Sequence, residues 1–204
     1  MSYPQRPVVF VIDDDVDLCG TIRRILAPAG YDVVVHHSAD EFLAGAERHR
    51  SGCVLLDIRM PGLSGSDLHR RLVAEGAELA VIIVSGHADV PSSVEAMKLG
   101  AVDVIEKPFS RESLLAAVAS AVSKLQTMQQ DREERETLEY LHSTLSEREK
   151  EVFALVANGQ TNRQVGDEIG ASEKTIKLHR RRIMQKMNVS TLADLVRVAE
   201  RLGM

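Results

Sequence analysis

The first hundred residues of the chain alternate short apolar runs with longer amphipathic stretches. The apolar runs recur about every 20–25 residues, a spacing that is too long for hairpins and typical of parallel β-α repeats. The predicted strands are Val8–Ile12, Val33–Val35, Cys53–Leu56, Ala80–Val84 and Val102–Ile105, and the predicted helices lie near 15–29, 39–49, 65–75 and 91–99. The pattern therefore predicts an α/β domain with a five-stranded parallel sheet in residues 1–125.

The pattern changes to a long helix after Ser110. From there to Tyr140 the sequence contains no Gly or Pro, and apolar residues recur at helical spacing as far as Met128. The following segment is charged on most faces, and we interpret residues 126–143 as a helical linker. This linker is either a solvated helix or a short dimeric coiled coil, although its heptads do not persist.

Residues 144–204 have the pattern of an all-α domain. Four short helices are predicted, at Glu147–Asn158, Asn162–Ile169, Glu173–Met187 and Leu192–Leu202. The second and third are joined by a tight turn at Gly170, and Ser172 is a suitable N-cap for the third, which indicates a helix-turn-helix. Small Gly166 allows these two helices to cross closely.

Composition narrows the class of protein. The chain has 204 residues, of which 44% are hydrophobic and 27% are charged, as in globular proteins. No apolar stretch approaches the ~20 residues that span a bilayer, and the N-terminus does not resemble a signal peptide. We therefore expect a cytoplasmic protein with no membrane partner. Cys19 and Cys53 lie in apolar runs and are expected to be reduced packing residues.

Charge is distributed unevenly along the chain. Residues 1–130 contain 12 basic and 17 acidic residues, whereas residues 144–204 contain 11 basic and 8 acidic residues. A polyanionic partner is therefore expected to bind the C-terminal domain. Aromatic residues make up 3% of the chain and Trp is absent, which disfavours a protein that stacks on single-stranded nucleic acid.

Charged and hydroxyl side chains follow four of the predicted strands. Asp13 and Asp14 follow the first strand, Asp57 the third, Ser85 the fourth and Lys107 the fifth. Ligands of parallel sheets bind beyond the carboxyl ends of the strands, so these side chains are expected to converge. Three carboxylates repel one another without a cation, and their oxygens suit Mg²⁺. A carboxylate beside a lysine and a hydroxyl can also attack phosphorus to form an acyl phosphate.

These residues lie in segments that resemble a known family. VIDDD, VLLDIRMPG, VIIVSGHADV and MKLGAVDVIEKPF, together with the basic tail, resemble FixJ- or LuxR-type two-component response regulators over nearly the whole chain. The resemblance implies a flavodoxin-like receiver domain in which a histidine kinase phosphorylates Asp57. It also implies that the DNA-binding domain spans 144–204.

The resemblance further implies a role for each residue of the acidic cluster. Asp13, Asp14, Asp57 and the backbone carbonyl of Arg59 would hold Mg²⁺. Ser85 and Lys107 would contact the phosphoryl oxygens, and the Lys107–Pro108 peptide bond would be cis. Asp15 is given no role.

Val104 departs from the pattern of this family. Receivers usually carry Tyr or Phe three positions before the lysine, and that ring moves inward on activation. A valine side chain has no ring that could make this movement. We therefore expect the conformational change on activation to involve the loop Ser85–Pro91 and the helix Val94–Leu99. Receivers of this family commonly dimerise through the fourth helix and fifth strand, which places Val94, Lys98 and Asp103 at a homodimer interface formed on phosphorylation.

The basic C-terminal domain supplies candidate contacts with double-stranded DNA. Lys and Arg on a helix that fits the major groove can bond guanine or phosphates, and Lys174, Lys177, Arg181 and Arg182 are expected to be exposed there. By resemblance, Lys177, Leu178 and Arg181 contact bases, and Asn162, Thr175, Arg182 and Lys186 contact phosphates. RNA polymerase is a further expected partner.

Two other functions fit parts of the sequence. A haloacid-dehalogenase phosphatase would use Asp13, Asp14 and Asp15 as its Asp-x-Asp motif, but its later paired acidic residues are missing and Asp57 would have no role. A receiver whose C-terminal domain binds protein or RNA is the second alternative. We expect a phosphorylation-switched transcription factor rather than an enzyme.

Overall fold

The computed structural model describes residues 6–45, 51–86 and 90–204. The chain divides into two compact units, Met1–Met128 and Gln129–Met204. The domain boundaries expected from the sequence, after residues 125 and 143, remain predictions.

The N-terminal unit contains a five-stranded parallel sheet with the strand order β2-β1-β3-β4-β5. The strands are β1 (Val8–Ile12), β2 (Asp32–His36), β3 (Gly52–Asp57), β4 (Leu79–Ser85) and β5 (Asp103–Glu106). The helices are α1 (Val16–Leu26), followed by a 3₁₀ turn at Ala27–Ala29, then α2 (Ala39–Ala44), α3 (Gly65–Ala74), α4 (Val90–Lys98) and α5 (Arg111–Ser143), which begins in this unit. This strand order confirms the predicted flavodoxin-like fold.

The sheet is covered on both faces, as its apolar strands require. Successive residues of a strand point to opposite faces. Val9 and Val11 accordingly pack with α1 and α5 on one face, and Phe10 and Ile12 pack with α2, α3 and α4 on the other. All six residues of β3 are buried, because this strand is central and covered on both sides.

Local signals fix where several of these helices begin. The Asp15 side chain accepts from the Leu18 N–H and caps α1, and Ser38 caps α2 in the same way. The predicted helix 39–49 extends beyond α2, and its residues 46–49 lie outside the described residues. The predicted switch loop Ser85–Pro91 likewise includes residues 87–89, which are not described.

The C-terminal unit contains the four predicted helices. They are α6 (Glu147–Ala157), α7 (Asn162–Ile169), α8 (Glu173–Lys186) and α9 (Leu192–Arg201). Phe153, Ile176 and Leu195 are fully buried in their shared core. Gly170 ends α7 with φ 70°, and Ser172 caps α8, so the predicted helix-turn-helix is confirmed.

The charged half of α5 is helical, as predicted for the linker. Arg132 pairs with Glu136 and Arg135 pairs with Glu139 along its surface. These i,i+4 pairs stabilise a solvated helix by a few tenths of a kcal/mol each. The coiled-coil alternative stays a prediction.

Both cysteines are free and buried, as expected. Burial raises the pKa of the Cys53 thiol to about 12, so it is an unreactive packing residue. In the described part of the chain, no helix combines the length and apolarity needed to cross a membrane.

Candidate functional site

The carboxylates of Asp13, Asp14 and Asp57 form a compact cluster at the carboxyl edge of the sheet. One oxygen from each lies within 4.8 Å of the others. The parallel register of β1 and β3 pairs Ile12 with Leu56, which brings Asp13, directly after β1, level with Asp57, the last residue of β3. Asp13 is 2% exposed and Asp57 is 8% exposed. Three oxygen donors at this spacing fit a small divalent cation.

Lys107 completes the cluster. Its Nζ lies 2.7 Å from Asp13 Oδ2 and 3.3 Å from Asp57 Oδ1. The Lys107 N–H donates to the Ser85 carbonyl at 2.7 Å, which fixes the residue beside β4. The Lys107–Pro108 bond is cis, as the resemblance predicted. One ammonium facing three carboxylates leaves an excess of negative charge that favours binding of a cation.

The pKa values of the central pair reflect this balance. Burial raises the pKa of Asp57, repulsion from Asp13 adds to the effect, and Lys107 and the Arg59 N–H oppose it. Burial would lower the pKa of Lys107, but its hydrogen bond and ion pairs with the two carboxylates outweigh burial and raise it. Lys107 therefore remains charged, whereas the charge on Asp57 is incompletely compensated by the protein.

Gly65 holds the backbone that carries Asp57, a role that the sequence analysis missed. Its N–H donates to the Ile58 carbonyl at 3.0 Å. A Cβ at this position would lie 1.9 Å from the Asp57 carbonyl oxygen, so only glycine fits without displacing Asp57.

Ser85, at the end of β4, contacts helix α4. It is 4% exposed, and the Ser93 hydroxyl donates to its Oγ at 3.3 Å. Both serines and Val104 line a cavity of about 660 Å³ between α4 and β5. The sequence analysis did not identify Ser93, because a contact between a strand end and a separate helix has no local sequence signal.

Two of the residues expected at a dimer interface, Val94 and Lys98, line this cavity. Val94 is 49% exposed, and Lys98 and Asp103 are also exposed. The Asp103 carboxylate accepts from the Val104 N–H at 2.8 Å. Their role in dimerisation remains a prediction.

Helix α8 presents most of the predicted DNA contacts to solvent. The exposed residues are Lys174, Thr175, Lys177, Leu178, Arg181 and Arg182. Lys177 pairs with Glu173 at 3.1 Å on the helix surface, a weak interaction that DNA can displace. Asn162, at the start of α7, is half-buried, and its Oδ1 accepts from Arg180 Nη1 at 2.5 Å.

Lys186 has protein partners in addition to its predicted phosphate contact. Its Nζ lies 2.6 Å from Glu149 Oε2 and 3.1 Å from the Thr144 carbonyl. Glu149 is 4% exposed, and the hydrogen bond from Lys186 lowers its pKa. The lysine therefore joins the end of α8 to the beginning of α6.

Comparisons with known proteins match both units. Residues 9–119 match the response regulator receiver domain, and residues 143–199 match the luxR family of bacterial regulatory proteins. The response regulator protein TodT of Pseudomonas putida is 41% identical over 96% of this chain and 86% of its own. The transcriptional regulatory protein FixJ of Bradyrhizobium diazoefficiens is 37% identical over 96% of both chains. The solved structure of the response regulator StyR is 38% identical, with a TM-score of 0.81 over 97% of this chain and all of its own.

The chain therefore belongs to the two-component response regulators with a LuxR-type DNA-binding domain, and it is a regulator of transcription. The acidic cluster corresponds to the pocket at which receiver domains bind Mg²⁺. The receiver match favours this function over the haloacid-dehalogenase alternative, and the luxR match favours DNA over an RNA or protein ligand for the C-terminal domain.

Proposed function

We propose that Asp57 accepts a phosphoryl group from a histidine kinase and that its phosphorylation strengthens DNA binding by promoting a dimer. The geometry of the acidic cluster supports this proposal. The Asp57 carboxylate lies 3.3 Å from the Lys107 ammonium, and its oxygens lie within 4.8 Å of those of Asp13 and Asp14. The site therefore combines a buried nucleophile, Asp57, with the fixed positive charge of Lys107 and with candidate metal ligands.

The transfer forms an acyl phosphate. A carboxylate oxygen of Asp57 attacks the phosphorus of the phosphohistidine, the P–N bond breaks, and the imidazole leaves with the bonding electron pair. Asp13, Asp14, Asp57 and the Arg59 carbonyl would hold Mg²⁺, which supplies positive charge to offset the oxygens of the transferred group. Lys107 and Ser85 contact the same oxygens. The kinase provides the donor, so we describe the chain as a phosphoacceptor rather than an enzyme.

Helix α4 carries the signal away from the acidic cluster. Ser85 turns toward the phosphoryl group, and its hydrogen bond with Ser93, 3.3 Å long in this structure, is released. Because Val104 has no ring to move, the change reaches the surface through α4. It rearranges the exposed surface that includes Val94, Lys98 and Asp103 so that this surface can form a dimer interface.

Two C-terminal domains then bind one DNA duplex. Lys177, Leu178 and Arg181 contact bases, and Asn162, Lys174, Thr175, Arg182 and Lys186 bind phosphates. A dimer matches a two-fold operator, and the second domain binds at a high effective concentration. RNA polymerase is the further partner through which transcription is controlled. Because the protein binds DNA, it acts in the cytoplasm.

The experiment compares DNA affinity with and without phosphorylation. The full chain is incubated with acetyl phosphate and Mg²⁺, and its binding to a fluorescent duplex obtained by in vitro selection is measured by anisotropy. We expect phosphorylation to increase affinity about tenfold or more, given the effect of bivalent binding. Asp57→Asn should not respond, whereas the matched control Asp32→Asn, an exposed aspartate on β2, should respond as the wild type does. Equal affinities with and without the donor, or a response from Asp57→Asn, would contradict the proposal.

A further inference from the structure

A basic cavity of about 420 Å³ lies beside α8, the second helix of the helix-turn-helix. Its polar lining consists of Lys177, Arg180, Arg181, Asn162 and Gln185. Among the described residues, no acidic side chain lines it. Three positive charges around one concavity create a potential that favours an anion.

Arg180 fixes the orientation of Asn162 at the edge of this cavity. A guanidinium carries N–H donors and no acceptor, so the 2.5 Å contact requires that the Asn162 side chain presents its oxygen to Arg180. The amide NH₂ group of Asn162 therefore points away from Arg180 and is available as a donor. The bond also joins α8 to the first residue of α7, which sets the position of the amide relative to Lys177 and Arg181.

The donors that surround the cavity require an acceptor-rich ligand. The Asn162 amide and the Arg180 guanidinium are the hydrogen-bond donors on which the inference depends, while Lys177 and Arg181, proposed above to contact bases, add positive charge to the lining. A tetrahedral phosphate accepts from several directions at once and is negatively charged. A phosphodiester of duplex DNA meets both conditions, and it lies beside any helix that occupies the major groove.

We infer that this cavity binds one phosphate of the DNA backbone and that Arg180 is the residue that positions Asn162 for this contact. The inference rests on the DNA-binding function of the domain and adds Arg180, which the sequence analysis did not assign, to the residues on which DNA affinity depends. A phosphate contact carries no base information, so its loss weakens binding to all sequences alike.

The test measures DNA binding by full-length variants over a range of salt concentrations. Arg180→Met removes the donors and the charge, Arg180→Lys retains the charge but not the planar guanidinium, and Asn162→Ala removes the amide. Arg197→Ala is the matched control, since it removes one positive charge from α9, where Arg197 is exposed and lies outside the cavity. The probes are a 20-base-pair duplex from in vitro selection and a scrambled duplex of the same composition.

Arg180→Met should weaken binding to both duplexes by about tenfold and reduce the slope of log affinity against log salt by about 1. Arg180→Lys should recover part of the affinity. Combining Arg180→Met with Asn162→Ala should cost less than the sum of the two single effects, because both remove the same contact. Arg197→Ala should change neither slope nor affinity more than about twofold.

Several results would overturn the inference. The first is that Arg180→Met binds both duplexes as tightly as the wild type does. The second is that the affinity of Arg180→Met falls while its salt slope stays unchanged, which would indicate that the bond between Arg180 and Asn162 is structural only. Should Arg180→Met fail to fold, Arg180→Lys and Asn162→Ala measure the same contact, and unchanged binding by both would be equally contradictory. Inorganic phosphate is the remaining probe. If it stabilises the wild type but not Arg180→Lys against unfolding, while the two proteins bind DNA with equal affinity, the cavity binds free anions rather than DNA. A wild type that binds no duplex would contradict the DNA-binding function itself.

Discussion

Asp57 is surrounded by groups that act on its charge in opposite directions. Burial and the neighbouring Asp13 raise its pKa, while Lys107 and the Arg59 N–H lower it. The net effect is a raised pKa, which means that the protein alone does not fully stabilise the carboxylate. A bound divalent cation would offset this imbalance.

Gly65 provides a residue-scale test of how tightly the Asp57 backbone is held. In Gly65→Ala, the new methyl group would meet the Asp57 carbonyl at 1.9 Å, so we expect a loss of about 1–3 kcal/mol in the free energy of unfolding and slower phosphorylation. Urea denaturation and the rate of phosphoryl incorporation measure the two effects. The control is Gly20→Ala in α1, where nothing lies within 4 Å and a gain of about 0.5–1 kcal/mol is expected. Equal stability of the two variants would show that the loop adapts.

Glu149 provides a pH-dependent test in the C-terminal unit. Lys186 lowers its pKa below the ordinary value of 4.5, so the pair stabilises the fold above that pH, and its contribution is lost as the pH falls through the folded-state value. We expect Glu149→Gln to lower the free energy of unfolding by about 2 kcal/mol at pH 7, with the difference shrinking in acid. Urea denaturation of both proteins between pH 7 and pH 3 measures it.

The matched control for this prediction is Glu151→Gln. Glu151 lies on the same helix and also pairs with a basic residue, Arg148, but both side chains are largely exposed. Exposed pairs contribute little, so this variant should lose less than about 1 kcal/mol. A deficit in Glu149→Gln that is constant from pH 7 to pH 3 would show that the ion pair is not its cause.

The sequence predicted the residues of the acidic cluster because each follows an apolar strand, and strand order then brings them together. The sequence pattern Ser146-x-x-Glu149 predicts a helix cap, which is present, but it does not predict that Glu149 pairs with Lys186. That pair and the contact of Arg180 with Asn162 join residues 37 and 18 positions apart, and both depend on how α8 crosses its neighbours. Nothing in the local pattern indicates either contact.

At the scale of elements, a hydrogen bond from Ser93 joins α4 to Ser85 at the end of β4. If the Ser93 hydroxyl keeps Ser85 turned away from Asp57, Ser93→Ala should favour the active arrangement. A hydrogen bond is worth about 0.5–1.5 kcal/mol, so we expect roughly two- to tenfold more phosphorylated dimer at a limiting concentration of acetyl phosphate. Phosphoryl incorporation and light scattering measure it. Ser92→Ala, one residue earlier on α4, is the control, and identical behaviour of the two variants would rule out the role of Ser93.

A substitution at Val104 tests whether activation requires an aromatic ring that moves. The cavity beside it, about 660 Å³ in volume, has room for an aromatic side chain. We expect Val104→Phe to fold normally and to leave phosphorylation-dependent dimerisation unchanged, as measured by light scattering with and without acetyl phosphate. A marked gain or loss of dimer would instead show that residue 104 takes part in the switch.

Element boundaries were predictable where capping residues mark them. Ser172 caps α8, as the sequence pattern predicts, and Ser146 and Thr161 cap α6 and α7 in the same way. Gly166 does permit a close approach, but chiefly to the turn: a Cβ there would lie 2.6 Å from the Ala171 carbonyl oxygen, whereas the Ile176 side chain of α8 would be at an ordinary contact distance of 3.7 Å. The ends of the strands were less predictable, because strand ends are set by pairing with neighbours rather than by local signals.

At the scale of the whole molecule, the uneven charge separates two tasks. The acidic N-terminal unit contains the candidate phosphoacceptor, and residues 144–204 of the C-terminal unit, with 11 basic and 8 acidic residues, contain the DNA-binding helices. Composition therefore predicted which part of the chain meets DNA. It could not identify the kinase or the operator, since both depend on surface detail that has no periodic pattern.

The most direct measurement of the central claim is the position of the phosphoryl group. The full chain is treated with acetyl phosphate and Mg²⁺, reduced with borohydride, which converts an acyl phosphate to an alcohol, and digested with trypsin. Cleavage after Arg50 and Arg59 releases peptide 51–59, in which Asp57 is the single acidic side chain. We predict that mass spectrometry finds homoserine at position 57 in donor-treated protein and not in untreated protein. An unmodified Asp57, or a modification confined to the peptide that contains Asp13 and Asp14, would contradict the account.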